Sequence, residues 1–307
     1  MSENHFLNHL ARRFPPRPPV AVGIGDDGAV LQLPPDGRLV TVTDLLLDGV
    51  HFRLDEIDPA LAGRKAVAVN LSDLAAMAAD PVAAFVSLAI PRSLSRSRPG
   101  WIEQLYNGIE ALAREYQFTV AGGDTNAWTG PFAINVCLLG TPMGARIPLR
   151  SDARPGDLLY VTGPLGGSLH HGRHLTFSPR FDAIRWLVDN VRVHALMDLS
   201  DGLATDLPRM MTASGCGAVI RGASIPVHAD VPAGLEADAR LTAALSDGED
   251  FELLFSIPAD AAEKLKQAPQ ELTLIQIGEV TENSAILLQN DSGRTRPLPP
   301  GGWQHGI

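Results

Sequence analysis

Six short segments combine acidic, glycine and hydroxyl residues in patterns suited to oxygen chemistry. They are Gly23-Ile24-Gly25-Asp26-Asp27-Gly28, Thr41-Val42-Thr43-Asp44, Asn70-Leu71-Ser72-Asp73, Gly122-Gly123-Asp124-Thr125, Asp198-Leu199-Ser200-Asp201-Gly202 and Gly248-Glu249-Asp250-Phe251-Glu252. Four of them follow an apolar, strand-like run, so the aspartates are expected at strand ends or tight turns. Magnesium takes oxygen ligands in octahedral geometry, usually one or two carboxylates completed by phosphates and water. Aspartates brought together from several segments would hold a polyphosphate through cations that neutralise charge during phosphoryl transfer. Taken singly, each segment also fits an ordinary turn or helix cap. Asp73 can sit inside the helix that Leu74 continues, and Asp182 and Asp206 read as surface acids. Turns alone do not require Asp-Asp, Gly-Gly-Asp and Asp-x-Ser-Asp-Gly in one chain, and the set is what points to metal-assisted chemistry.

Other patterns compete for attention. Gly23-x-Gly25-x-x-Gly28 fits a dinucleotide fingerprint, but that motif opens a helix under the pyrophosphate. Here Ala29-Val30-Leu31-Gln32-Leu33 runs into Pro34-Pro35 and leaves no room for one. No Gly-x-x-x-x-Gly-Lys-Ser/Thr loop occurs, so a bound triphosphate would rest on metals, backbone N–H groups and an arginine. Gly163-Pro164-Leu165-Gly166-Gly167-Ser168 is a candidate source of such backbone donors, and equally a flexible strand-to-helix turn. His170, His171 and His174 lack a cysteine or acid at ligand spacing, so exposed histidines are expected rather than zinc. Trp303 reads as core, or as a platform for a flat heterocycle.

The elements that must position these residues alternate between strands and helices. Strands are expected at Val20–Ile24, Ala29–Leu33, Leu39–Thr43, Val82–Ile90, Phe118–Ala121 and Phe132–Leu139, with helices at Ala60–Ala79 and Arg98–Tyr116. Trp101, Leu105, Ile109 and Leu112 give the second helix its apolar stripe. A Gly-, Pro- and Arg-rich stretch near Met143–Pro155 marks a boundary, giving an N-terminal domain over residues 1–148 and a C-terminal one over 149–307. Beyond it, strands are expected at Leu158–Thr162, Ala218–Ile220, Phe251–Ile257, Leu272–Ile277 and Ala285–Leu288. Helices are expected near Pro179–Asn190 and Leu203–Ser214, and a Pro/Gly-rich tail over Arg294–Gln304. The alternation is too irregular for eight βα units, so the fold class is α/β or α+β in two domains.

Hydrophobic content of 45% and charged content of 20% describe a globular protein with an ample core. A formal charge of −10 with no long basic run argues against a nucleic-acid or anionic-membrane partner. The apolar region Leu74 to Pro91 is cut by Asp80-Pro81 and is too short to span a bilayer. Cys137 and Cys216 alone make no disulfide framework, and the reading is cytoplasmic.

Together the motifs resemble the thiamine-monophosphate kinase family, within the wider superfamily that includes aminoimidazole ribonucleotide synthetase and selenophosphate synthetase. The resemblance runs from Gly23 to Trp303. It is most specific at Gly23–Asp27, Lys65–Asp73, Ala75-Ala76-Met77, Gly122–Thr125, Asp198–Gly202 and Gly248–Phe251. It implies a two-domain aminoimidazole ribonucleotide synthetase-like fold, an N-terminal domain that forms a dimer barrel with its copy, and ATP-dependent conversion of thiamine monophosphate to the diphosphate. By carry-over, Asp27, Thr43, Asp44, Asp73, Asp124 and Asp198 would hold magnesium, with Asp201 on a further ion. Tyr106, Gly123, Asp124, Arg150 and Ser200 would contact ATP, and Asp73, Arg150 and Asp201 would carry the transfer. His51, Glu249, Asp250 and Trp303 would contact thiamine monophosphate. The attacking atom is a phosphate oxygen already ionised at neutral pH, so alignment and charge neutralisation matter more than a general base.

The chain departs from the family pattern at particular places. Val42-Thr43-Asp44-Leu45 stands where Ser-Thr-Asp-Thr is usual, Asp247 where a glycine is usual, and Asn126-Ala127-Trp128 makes a bulkier loop. Two alternatives remain at this level: a superfamily relative that activates another small substrate with ATP, and a non-catalytic binder of nucleotide or thiamine phosphate. The resemblance disfavours a selenophosphate synthetase, which usually carries a cysteine or selenocysteine in an N-terminal Gly-rich loop, because no cysteine precedes residue 137.

Overall fold

The computed structural model describes residues 9–24, 28–33, 35, 37–94 and 98–303. Asp26 and Asp27 lie outside the described residues. The chain forms two compact units, one of Met1–Leu74 with Ala79–Pro142, the other of Ala75–Ala78 with Met143–Ile307.

In the first unit, β1 (Val20–Val22) and β2 (Val30–Leu31) form an antiparallel pair. The segment after Gly28 is therefore strand, which removes the helix that a dinucleotide fingerprint needs. Four longer strands, β3 (Val40–Leu47), β4 (Ala79–Pro91), β5 (Thr119–Trp128) and β6 (Ala133–Pro142), form one sheet in the order β3-β6-β4-β5. Only the β4/β5 pairing is parallel. Helix α1 spans Pro59–Ala76 and α2 spans Trp101–Glu115. α2 buries Trp101, Leu105, Ile109 and Leu112, the stripe read from the sequence. α1 is apolar nearly all round, and Ala62, Ala66, Val67, Leu71 and Leu74 are wholly buried. It stops three residues short of the expected Ala79, because Ala78 turns to φ +47 and Ala79 opens β4.

The two helices meet through glycine. A Cβ at Gly63 would lie 2.0 Å from the Leu105 carbonyl oxygen, and one at Gly108 would lie 1.9 Å from that of Ala60. Removing both side chains lets the backbones approach more closely than any other residue would allow.

The second unit is built on a seven-stranded sheet in the order β13-β12-β9-β11-β7-β10-β8. The strands are β7 (Asp157–Val161), β8 (Leu196–Asp198), β9 (Gly217–Arg221), β10 (Leu253–Pro258), β11 (Ile275–Thr281), β12 (Ile286–Gln289) and β13 (Thr295–Pro297). All pairings are antiparallel except β9/β12. Helices α3 (Phe181–Asn190), α4 (Leu203–Ser214) and α5 (Ala237–Ser246) accompany it. The core gathers Leu159, Met197, Leu207, Met210, Ile220 and Leu254. β8, α5 and β13 were not expected, and part of the expected tail is thus a strand paired to β12. Among the described residues the chain is a mixed α/β fold with a four-stranded and a seven-stranded sheet of different topology beside the small β1/β2 pair.

Candidate active site

Several of the residues singled out above assemble in the first unit around β3 and α1. Asp44 is not at a strand end: it sits inside β3, opposite Val136 of β6. Asp73 lies near the end of α1, between buried Ser72 and Leu74. The two carboxyl groups hydrogen-bond to each other, and burial pushes Asp44 above the usual carboxylate range while that bond draws it back. Two ionised carboxylates cannot share a hydrogen bond, so the pair needs a proton or a cation between them. An all-oxygen pair of this kind fits magnesium and not a soft metal. Thr43 is exposed, and its hydroxyl accepts from Asn135 Nδ2 at 3.1 Å.

The β3 row continues from Asp44 through Val136 and Val86 to Gly123 of β5. Gly123 has φ +150, and a Cβ there would stand 1.8 Å from the Val86 carbonyl oxygen, so the close strand approach requires glycine. Asp124 is one residue further along, opposite Ser87, again within a strand and not in a turn. Its carboxylate accepts from the Thr125 N–H at 2.8 Å and from Asn126 Nδ2 at 2.9 Å.

His51 lies in the turn after β3. The Leu47 N–H donates to its Nδ1 at 3.0 Å, so the neutral imidazole carries its proton on Nε2 and is a donor there. Lys65, buried in α1, donates to the His51 carbonyl at 2.7 Å and fixes that turn from below. Tyr106 is 3% exposed, packed 6.1 Å from the Phe14 ring, and burial drives its hydroxyl far above the ordinary tyrosine range. As placed, its ring belongs to the interior.

In the second unit the turn after β8 brings five candidate residues together. Asp198 is buried at the end of β8. Ser200 offers its carbonyl to the Glu249 N–H at 2.7 Å, and Asp201 offers its own to the Trp303 N–H at 3.0 Å. Trp303 is not core: its side chain is exposed (53%), and the chain before it is held by Thr205, whose hydroxyl donates to the Gly301 carbonyl. The backbone of Trp303 is therefore tied to the turn that carries Asp201, while its side chain stays exposed.

Asp206, read from the sequence as a surface acid, is 0% exposed. Its carboxylate accepts from the Asp201 N–H at 3.0 Å and from Arg209 Nη1 at 2.8 Å, and Arg209 also donates to Asp201 Oδ2 at 2.5 Å. Burial first, then the charges of Asp198 and Asp201, push Asp206 up to about 7. The sequence signal was its spacing: Asp206 falls at the first turn of α4, three residues before Arg209.

Asp250 is 2% exposed and is occupied inside the fold, accepting from the Gly166 N–H and from Arg173. Burial raises it to about 7, against the lowering effect of those two donors. Arg150 sits in a short 3₁₀ turn, exposed, and pairs with no acid among the described residues. His174 hydrogen-bonds the Ser168 carbonyl through Nδ1, and His170 and His171 are exposed neighbours. Among the described residues, no three or more of His, Cys, Asp and Glu form a metal-holding group.

Comparison with known proteins extends this geometry. Residues 25–142 match the family of AIR synthase related protein, N-terminal domain, and residues 154–288 match its C-terminal domain. Thiamine-monophosphate kinase from Rhodopirellula baltica is 39% identical, covering 99% of this chain and 97% of its own. The crystal structure of thiamine-monophosphate kinase from Stenotrophomonas maltophilia K279a superposes with a TM-score of 0.82 at 30% identity, over 96% of this chain and 98% of that one. AaThiL complexed with AMPPCP and TMP superposes with a TM-score of 0.75 at 28% identity, over 99% of this chain and 96% of that one.

Proposed function

The chain belongs to the AIR synthase related family and, within it, to the thiamine-monophosphate kinases; from that membership we propose that it transfers the γ-phosphoryl group of ATP to thiamine monophosphate, giving ADP and thiamine diphosphate. The observation that carries the reading is the pairing of Asp44 with Asp73, two acids from different elements whose shared oxygens suit a hard cation. AaThiL holds an ATP analogue and TMP in a structure of the same fold, which supports the same two ligands here.

Asp27, Thr43, Asp44, Asp73, Asp124, Asp198 and Asp201 would hold magnesium, and the described carboxylates suit it as hard oxygen donors. Bound there, magnesium supplies charge neutralisation for the phosphates. The chain's own groups do the rest. Arg150, exposed and unpaired among the described residues, binds ATP phosphate, with Gly123 and Ser200 proposed as further ATP contacts; Tyr106, expected there from the sequence, is buried and is left out of that set. His51 donates from Nε2 to the acceptor phosphate and orients it; it removes no proton, because the attacking oxygen is already ionised. Glu249, and Asp250 through its hold on the glycine loop, shape the acceptor side, and the Trp303 ring offers a flat face to a thiamine ring.

We propose a homodimer formed through the first unit's sheet. Asp44 faces α1, so Leu45, one residue on, points to the opposite face, where it is 54% exposed. Light scattering on the purified chain tests this, with a monomeric mass as the contrary result. Among the described residues no helix is long and apolar enough to cross a membrane, and a cytoplasmic setting is proposed, where its two free cysteines would stay reduced.

The deciding experiment is ADP release with ATP and a panel of phosphorylated acceptors, with and without Mg²⁺. Thiamine monophosphate should be the preferred acceptor, and activity should vanish in EDTA. Another acceptor clearly preferred would overturn the substrate while leaving the kinase.

A further inference from the structure

Glu249 is held in a backbone conformation that L side chains seldom adopt. φ is +72 at Gly248, +53 at Glu249 and +52 at Phe251. Such a run persists only where the surroundings over-determine it. The Glu249 N–H donates to the Ser200 carbonyl at 2.7 Å, and the Phe251 N–H to that of Leu199 at 2.8 Å. Phe251 also stacks on Phe177, with ring centroids 4.1 Å apart.

The remaining constraints come from the glycine loop after β7. Ser168 is 0% exposed, and its hydroxyl donates to the Glu249 carbonyl at 2.6 Å. On either side of Glu249, Asp247 accepts from the Gly167 N–H at 2.8 Å, and Asp250 accepts from the Gly166 N–H at 2.9 and 3.0 Å. Arg173 closes the loop, donating from Nη2 to the Gly166 carbonyl at 2.8 Å and to Asp250 at 3.0 Å, and from Nε to Asp230 at 2.9 Å. Both glycines are required: φ is +89 and +73, and a Cβ at either would come within 2.8 Å of backbone atoms of Ala243 or Asp230.

These N–H groups were the ones a phosphate could have used. The structure gives them to carboxylates, and so converts a candidate phosphate loop into a mount for Glu249. Asp247, two residues before Glu249, is joined to that mount through the Gly167 N–H.

We infer that Ser168 and Asp247 are positioning residues for acceptor recognition: they fix the backbone of Glu249 and so set the affinity for thiamine monophosphate without touching it. The inference rests on the reading that Glu249 meets the acceptor.

The test is steady-state kinetics on the full chain with Mg²⁺, varying thiamine monophosphate and ATP separately, for Ser168→Ala, Asp247→Gly and Glu249→Ala. Loss of one hydrogen bond should raise the acceptor KM about three- to tenfold in Ser168→Ala, with the ATP KM within about twofold of wild type. An acceptor KM left at the wild-type value, or an ATP KM that rises in step, overturns the inference. If Ser168→Ala does not fold, Asp247→Gly decides by the same criterion. Glu249→Ala separates the two levels. If it raises the acceptor KM while the other two do not, positioning fails alone; if it changes nothing, the acceptor role of Glu249 fails and the inference falls with it.

Discussion

The carboxyl groups of Asp44 and Asp73 hydrogen-bond to one another, one presented by strand β3 and the other by helix α1. The contact joins a residue inside a strand to one near the end of a helix whose Leu71 and Leu74 are wholly buried, so both half-buried carboxyls project from packed elements. A pair this confined is poised for a cation and uncomfortable without one.

Replacing Asp73 by asparagine should separate catalysis from stability. The amide can donate to Asp44 without needing a proton, so the melting temperature in EDTA should hold or rise. Mg²⁺-dependent ADP formation should fall on the order of 100-fold, because a charged ligand of the phosphates' counter-ion is gone. Calorimetry in EDTA alongside an ADP assay measures both; lower stability with intact turnover would count against the metal role.

A second consequence concerns pH. Asp206 and Asp250 are both pushed up to about 7 by burial. Their folded values lie above the unfolded one, so the native state binds more protons than the unfolded state between roughly pH 4 and pH 7. Stability from these groups is greatest below that window and is lost as pH rises through about 7. Each group accounts for about 1.4 kcal/mol of the loss between pH 6 and pH 8. Chemical denaturation in EDTA should show these groups favouring the fold at pH 6 over pH 8, and Asp206→Asn should reduce the pH 6-to-8 loss by about 1.4 kcal/mol. An unchanged pH dependence in the variant would refute the assignment to Asp206.

Which features were legible in the sequence follows from what each one rests on. Helix Leu203–Ser214 was read at its true limits because its apolar spacing and Gly215, at φ +66, are local signals. Strand β13 was missed because all three of its residues are exposed and only its pairing with β12 holds it extended. Helix Ala237–Ser246 buries little beyond Ala244 and Leu245, too narrow a stripe to announce itself. Asp44 and Asp124 were expected at strand ends or tight turns, yet both lie inside strands that run on past them, where the surrounding fold overrides the low strand propensity of aspartate. The acidic motifs were visible as a set. The use of Gly166 and Gly167 was not, because their partners Asp250 and Asp247 are about 80 residues away.

The glycine crossing of α1 and α2 gives a prediction about stability alone. Both elements were readable, but their contact was not, since nothing local distinguishes Gly63 or Gly108 from a tolerated helix glycine. Alanine normally favours a helix over glycine by about 1 kcal/mol. Here its Cβ would meet a carbonyl oxygen at 2.0 Å or less, so overpacking wins and Gly108→Ala should destabilise by about 1–3 kcal/mol. Urea denaturation measures this. A stabilised variant would show that the helices can part without cost.

Trp303 offers the cleanest division between fold and ligand. Its backbone N–H is what ties the chain end to Asp201, and substitution of the side chain leaves that bond in place. With the indole 53% exposed, Trp303→Ala should shift the melting temperature little, in contrast to Trp101→Ala, whose ring is 2% exposed and packs edge-on against Phe132. If the indole stacks on a thiamine ring, its loss should raise the acceptor KM about tenfold, the equivalent of 1.4 kcal/mol, leaving the ATP KM and kcat near wild type. Trp303→Phe should recover most of the affinity, since a smaller ring still presents a π-face. Equal acceptor KM values for wild type and Trp303→Ala would remove the stacking role, and the exposed ring would need another explanation.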